Sequence, residues 1–124
     1  ATNLRIELLR SERVMLCESL CRSSLYVKFH TSGARITAED WTSLRTELDR
    51  IYDLTSRLYE ICPQISDMEL RICYLIKIQV KVRDMAAILN RSVSGVSSVR
   101  GRLYTKITGE GNSPDKLDQL ILDL

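Results

Sequence analysis

Arg83-Asp84-Met85-Ala86-Ala87-Ile88-Leu89-Asn90-Arg91-Ser92-Val93-Ser94-Gly95-Val96-Ser97-Ser98-Val99-Arg100-Gly101-Arg102-Leu103 is the stretch on which the fold turns. A short helix from Lys81 to Leu89 carries a small residue, Ala86, at its middle, where two crossing helices must approach closely. Asn90 suits a left-handed turn position, and Ser92 suits the N-cap of a longer helix from Val93 to Ile107. On that longer helix Val96, Val99, Leu103 and Ile107 form one apolar stripe, leaving Ser94, Ser97, Ser98, Arg100, Arg102 and Lys106 for other faces. This is the sequence form of a helix-turn-helix, a motif whose second helix can lie in the DNA major groove.

Working outward, two further helices announce themselves by the same grammar. Thr37 is expected as an N-cap, with Asp40 closing a capping-box variant and Ile36 stapling to Trp41. The helix that follows carries Trp41, Leu44, Leu48, Ile51 and Leu58 at helical spacing and is expected to run until Pro63 stops it. Ser66 then caps the next helix, with Glu69 closing the box between Ile65 and Leu70. That helix should run to about Ile78 and bury Leu70, Ile72, Cys73 and Leu75 or Ile76. Gly109 to Pro114 is dense in turn formers, and a last helix from Asp115 to Leu122 carries Leu117, Leu120, Ile121 and Leu122. No stretch shows a comparable period of two, so the expected fold class is all-α.

The N-terminal region, Leu4 to about Ser23, has neither Gly nor Pro. Ile6, Leu9, Leu16, Leu20 and Val27 form one stripe, and Leu4, Leu8 and Met15 begin a second beside it. A helix of this kind packs on its own domain or pairs with another copy as a candidate coiled coil. A short helical extension, Leu25 to His30, follows. The resulting division is a dimerisation segment at 1–35, a connector helix at 36–63 and a DNA-binding domain at 64–124, with four to five helices beyond the long first one.

Composition narrows the function classes. Hydrophobic content of 44% with 27% charged residues fits a folded helical protein. No apolar run approaches the ~20 residues needed to span a bilayer, and no signal peptide is visible. The chain opens inside an apparent helix without an initiating Met, so it is expected to be a piece of a longer, cytoplasmic protein with no membrane contact of its own. Cys17, Cys21, Cys62 and Cys73 lack Cys-x-x-Cys spacing; Cys17 and Cys21 could grip a metal, but four small buried thiols in a reducing compartment is the reading adopted. The single histidine, His30, has no acid–nucleophile grouping near it, and no phosphate-binding loop or metal loop is present. Catalytic residues, metal and cofactor are therefore expected to be none.

The net charge of +2 conceals an asymmetry. Between positions 81 and 106 the basic residues Lys81, Arg83, Arg91, Arg100, Arg102 and Lys106 face Asp84 alone, whereas the segment after Thr108 sets Lys116 against Glu110, Asp115, Asp118 and Asp123. Positive charge concentrates where a phosphate backbone would lie.

Ile65-Ser66 with Glu69, then Ala86, Leu89 and Ser92, then Val96, Arg100, Arg102 and Lys106 resemble the C-terminal DNA-binding domain of LuxR-type regulators, related to sigma-factor region 4. The wider chain, through Ile36-Thr37-Ala38-Glu39-Asp40-Trp41 and Glu69-Leu70-Arg71-Ile72-Cys73, resembles the cytoplasmic end of Bacteroidetes regulators that carry tetratricopeptide repeats, one transmembrane helix, a coiled coil and this motif. The resemblance implies a bacterial transcription regulator, with the full-length protein anchored to the inner membrane. Departures from the family pattern are Gln79 where Gly is frequent, Val93 where Pro or an acid is frequent, and Ser94, Gly95 and Ser97 where Lys or Thr is frequent.

The expected DNA-binding set is Lys81, Arg83, Arg91, Ser94, Ser97, Ser98, Arg100, Arg102 and Lys106. Arginine suits phosphate and guanine because its planar fork offers paired donors. Arg100 and Arg102 stand about 200° apart on a helix, so one is expected at phosphate and the other as a flank or internal contact. The serines donate with weak discrimination, and Lys81 and Arg83 are phosphate candidates that would set register. The expected partners are double-stranded DNA and a second copy of the chain. The alternative is a helix-turn-helix used for protein interaction, binding RNA polymerase or a partner chain.

Overall fold

The computed structural model describes residues 2–124, and over them the chain is all-helical. Eight helices follow in order: α1 (Thr2–Arg22), α2 (Ser24–Phe29), α3 (Ala38–Tyr52), α4 (Leu54–Ile61), α5 (Asp67–Lys77), α6 (Val82–Ile88), α7 (Val93–Thr108) and α8 (Pro114–Leu122). None of these helices is long and apolar enough to cross a membrane.

The helix starts follow from side-chain chemistry. Thr37 accepts from the Asp40 amide while the Asp40 carboxylate accepts from the Thr37 amide, and Ser66 and Glu69 repeat the exchange at α5. Each box satisfies two donors that a helix N-terminus otherwise leaves unpaired. Ser23, Ser92 and Ser113 cap α2, α7 and α8 in the simpler way.

The helix expected to continue to Pro63 instead breaks at Asp53, which is left-handed at φ 53° and ψ 38°. The Asp49 carboxylate takes both the Thr55 amide (2.9 Å) and the Thr55 hydroxyl (2.6 Å), and the same hydroxyl meets Tyr74 Oη at 2.7 Å. The break redirects α4 so that Leu54 and Leu58 are both fully buried. Val27 likewise leaves its expected stripe, because Ser23 turns the chain and sends Phe29 into the core edge-on to Trp41, 5.2 Å between ring centroids.

Helix α5 lies at the centre. Ile72, Cys73, Tyr74, Leu75 and Ile76 are all buried, so the C-terminal half of the helix is enclosed on every side. Around it one continuous cluster runs from Leu20 and Phe29 through α3 and α4 to Leu103, Leu117 and Ile121. The segments 1–35, 36–63 and 64–124 thus all contribute to one core. Lys77, at the end of α5, is buried and donates to the carbonyls of Ile121 (3.3 Å) and Leu122 (3.0 Å), stitching α8 down by its negative C-terminal end. Burial, with Arg13 and Arg57 nearby, holds its pKa below the usual lysine value.

Among the described residues, helix α1 is anchored from Arg13 onward. Leu20 is buried, Cys17 Sγ meets Tyr52 Oη at 3.0 Å, and Arg13 Nε donates to Ile51 O at 3.3 Å. Ahead of Arg13, Leu4, Ile6, Leu8 and Leu9 are exposed, as are Val14 and Met15 behind it. Both apolar stripes therefore run on past the body without a covering element.

Candidate nucleic-acid interface

Two turns of one kind set the geometry of α5, α6 and α7. At the end of α5 Gln79 is left-handed (φ 60°), with its amide on Ile76 O (2.9 Å) and the Val80 amide on Leu75 O (3.0 Å). At the end of α6 Asn90 is left-handed (φ 54°), with its amide on Ala87 O (3.2 Å) and the Arg91 amide on Ala86 O (2.9 Å). Each is a paired 6→1 and 5→2 helix stop. Gln79 occupies a position where glycine would be unstrained, which gives the departure noted in the sequence a physical meaning.

Ala86 is buried, as are Met85, Leu89, Val96 and Leu103, so the apolar sides of α6 and α7 close on the core. Gly95 belongs to the start of α7. Its amide donates to Ser92 Oγ at 3.0 Å, and an added Cβ would sit 3.0 Å from the same oxygen, pressing on the cap. Gly101 packs against the 109–114 loop, where an added Cβ would make ordinary contact with Asn112 Cβ at 3.4 Å.

The solvent side of this unit holds most of the expected residues. Lys81 and Arg83 are exposed in the first turn of α6, and Arg91 is exposed in the turn itself. Along α7, Ser94, Ser98 and Arg102 are exposed at spacings of four and share one face, with Ser97 half-buried at its border.

Arg100 must be corrected. It is 4% exposed, with Nε on Asp118 Oδ1 at 3.0 Å, Nη2 on the other Asp118 oxygen, and Asp115 at 4.0 Å. The guanidinium forms a two-pronged strut between α7 and α8 and is withdrawn from the DNA-binding set. The sequence left open which of the two arginines is internal; in the fold Arg100 stands between the buried Val96 and Leu103 and takes that place.

Lys106 also turns inward, although partly exposed. Its Nζ donates to Gln64 O and to Glu69 Oε1, both at 2.9 Å, tying the last turn of α7 to the first turn of α5. The hydrogen bond to Glu69 raises the lysine pKa. Burial of Glu69 opposes its ionisation, but the Ser66 amide and Lys106 outweigh it and hold the carboxyl below its usual value. Two of the three ammonium N–H donors are thereby engaged within the fold.

Val93, the first residue of α7, is exposed beside Ser92 and Ser94. Among the described residues no group of three or more His, Cys, Asp or Glu could hold a metal ion. Compared with known proteins, the chain matches no protein-family model, no curated protein and no solved structure.

Proposed function

We propose that the chain is a DNA-binding output domain of a bacterial transcription regulator, with α6 and α7 as its helix-turn-helix. The observation that carries this reading is the division of the unit into two sides. Its apolar stripe closes on the core, and Lys81, Arg83, Arg91, Ser94, Ser98 and Arg102 remain in solvent. In the docked state α7 enters the major groove, and the start of α6 with the Arg91 turn lies against the phosphates. The uncovered stripes of α1 support pairing with a second copy, which would set the distance between two recognition helices.

Salt-titrated binding to genomic duplex fragments tests the reading. Neutralising Lys81, Arg83, Arg91 and Arg102 one at a time to Gln is expected to lower the salt dependence by about one ion for each residue at a phosphate. Duplex affinity unaffected by the fourfold variant, in a protein that still folds, would reject it. A second reading draws on the inward turn of Arg100 and Lys106, which leaves the exposed face of α7 richer in hydroxyls than in charge. That face would then dock on RNA polymerase or another protein, and its signature is binding that salt does not weaken.

A further inference from the structure

Among the described residues, the large apolar side chains left in solvent lie on α1, α2, α4 and the end of α8, with a single one, Val93, on the α5–α7 unit. Val93 is 49% exposed, and it is neither part of the core cluster nor packed against it. It opens α7 immediately after the capping Ser92, with exposed hydroxyls on both sides and exposed Arg91 two residues before. A β-branched residue gains nothing from helix propensity at such a place.

We infer that Val93 is a specificity-determining residue that reads the 5-methyl group of a thymine; this rests on the DNA-binding reading above. In a docked helix-turn-helix the N-terminal residues of the second helix face the base edges. An isopropyl group has no hydrogen bond to offer there. Guanine, adenine and cytosine present donors and acceptors along the major-groove floor, and thymine alone adds a methyl group. Opposite any other base Val93 would strip water from a polar edge and return no partner, a penalty that selects against that base. The neighbouring Ser94 and Ser97 accept either sense of hydrogen bond and discriminate little, so at this end of α7 the preference falls to Val93.

The test uses the whole 124-residue chain and duplexes enriched by it from a randomised pool. Each thymine of an enriched duplex is replaced singly by deoxyuridine, which deletes the methyl and nothing else. One thymine position should then weaken binding about fourfold, the weight of one buried carbon at ~0.8 kcal/mol. Val93→Ser should bind the thymine and uracil duplexes equally with an unchanged salt slope, and Val93→Ile should restore the difference. Enriched duplexes indifferent to every thymine-to-uracil change, or a difference that survives in Val93→Ser, overturn the assignment of Val93 and leave DNA binding standing. Failure to enrich or bind any duplex overturns both.

Discussion

Removing the carboxylate of Asp118 should damage this protein more than removing the arginine it holds. The Arg100 side chain is 5% exposed and the Asp118 side chain 30%. In Asp118→Ala the guanidinium stays buried with Asp115 alone, 4.0 Å away and itself fully in water. An uncompensated buried charge costs about 3–5 kcal/mol, and the low end applies because water reaches the Asp118 side of the pair. In Arg100→Met the stem is replaced by a chain of similar reach and Asp118 rehydrates, so the loss is about 1 kcal/mol. At roughly 4 °C per kcal/mol for a domain of this size, thermal unfolding should fall by about 12 °C in the first variant and about 4 °C in the second. Urea titrations of the same proteins supply the free energies, and the Arg100→Met/Asp118→Leu double variant should recover most of the loss. Equal costs, or a larger loss in Arg100→Met, would refute the strut. So would a drop of one ion in the salt dependence of DNA binding for Arg100→Met, because that is the behaviour of a phosphate contact.

Three further outcomes follow from particular residues. Gln79→Gly should stabilise the protein by about 0.5–1 kcal/mol in urea, since glycine adopts the left-handed conformation at φ 60° without strain; destabilisation would show that the glutamine side chain supports the turn. Glu69→Gln keeps a residue able to close the capping box and removes the charge facing Lys106. The carboxyl titrates lower when folded than when unfolded, so its contribution is complete above the usual glutamate range and is lost as pH falls through the folded value. The stability gap between wild type and variant should be open at neutral pH and close on acidification. Leu8→Glu with Met15→Glu, both on the uncovered stripe of α1, should leave the thermal transition in place and lower the sedimentation mass of any self-associated form; an unchanged mass distribution in a protein that does associate would place the interface elsewhere.

The helix starts were legible because their determinants are local. Thr37 with Asp40 and Ser66 with Glu69 lie three residues apart, and any chain carrying them meets the same unpaired amides. The break at Asp53 was not legible from periodicity, because Leu58 follows Ile51 by seven residues and the stripe reads straight through. Its signal lay in polar chemistry instead, where Asp49 reaches Thr55 and an aspartate tolerates the left-handed position between them. On α7 the sequence gathered the cations by composition, and the fold sorted them. The partner of Arg100 lies 18 residues on and that of Lys106 lies 37 residues back. Pairing at that range is a property of the packed chain and leaves no mark on a helical repeat. Val93 was read only as a departure from the family pattern, because its exposure is set by how the fold packs α7 and not by residue type.

The two paired cations also explain how a helix rich in glycine and serine is held rigid. Gly95 and Gly101 each lower helix propensity by roughly 1 kcal/mol relative to alanine, and only at Gly95 would a Cβ press on a neighbour, the Ser92 cap. The order of α7 must therefore come from outside the helix. Arg100 fixes its middle to α8, Lys106 fixes its last turn to α5, and α8 is itself held by Lys77. A pair such as Arg100–Asp118 adds little net stability once desolvation is counted, but a buried guanidinium without its carboxylate is costly, so the pair favours one register of α7 over its neighbours. A helix held in this way loses less conformational freedom on binding than one that must order on its target. The consequence falls on the electrostatics, since the charge paired within the fold is subtracted from the solvent face of α7. Under the proposed reading, phosphate contact passes mainly to Lys81, Arg83 and Arg91 beside the recognition helix, and Arg102 remains the one arginine on the face that Ser94 and Ser98 share.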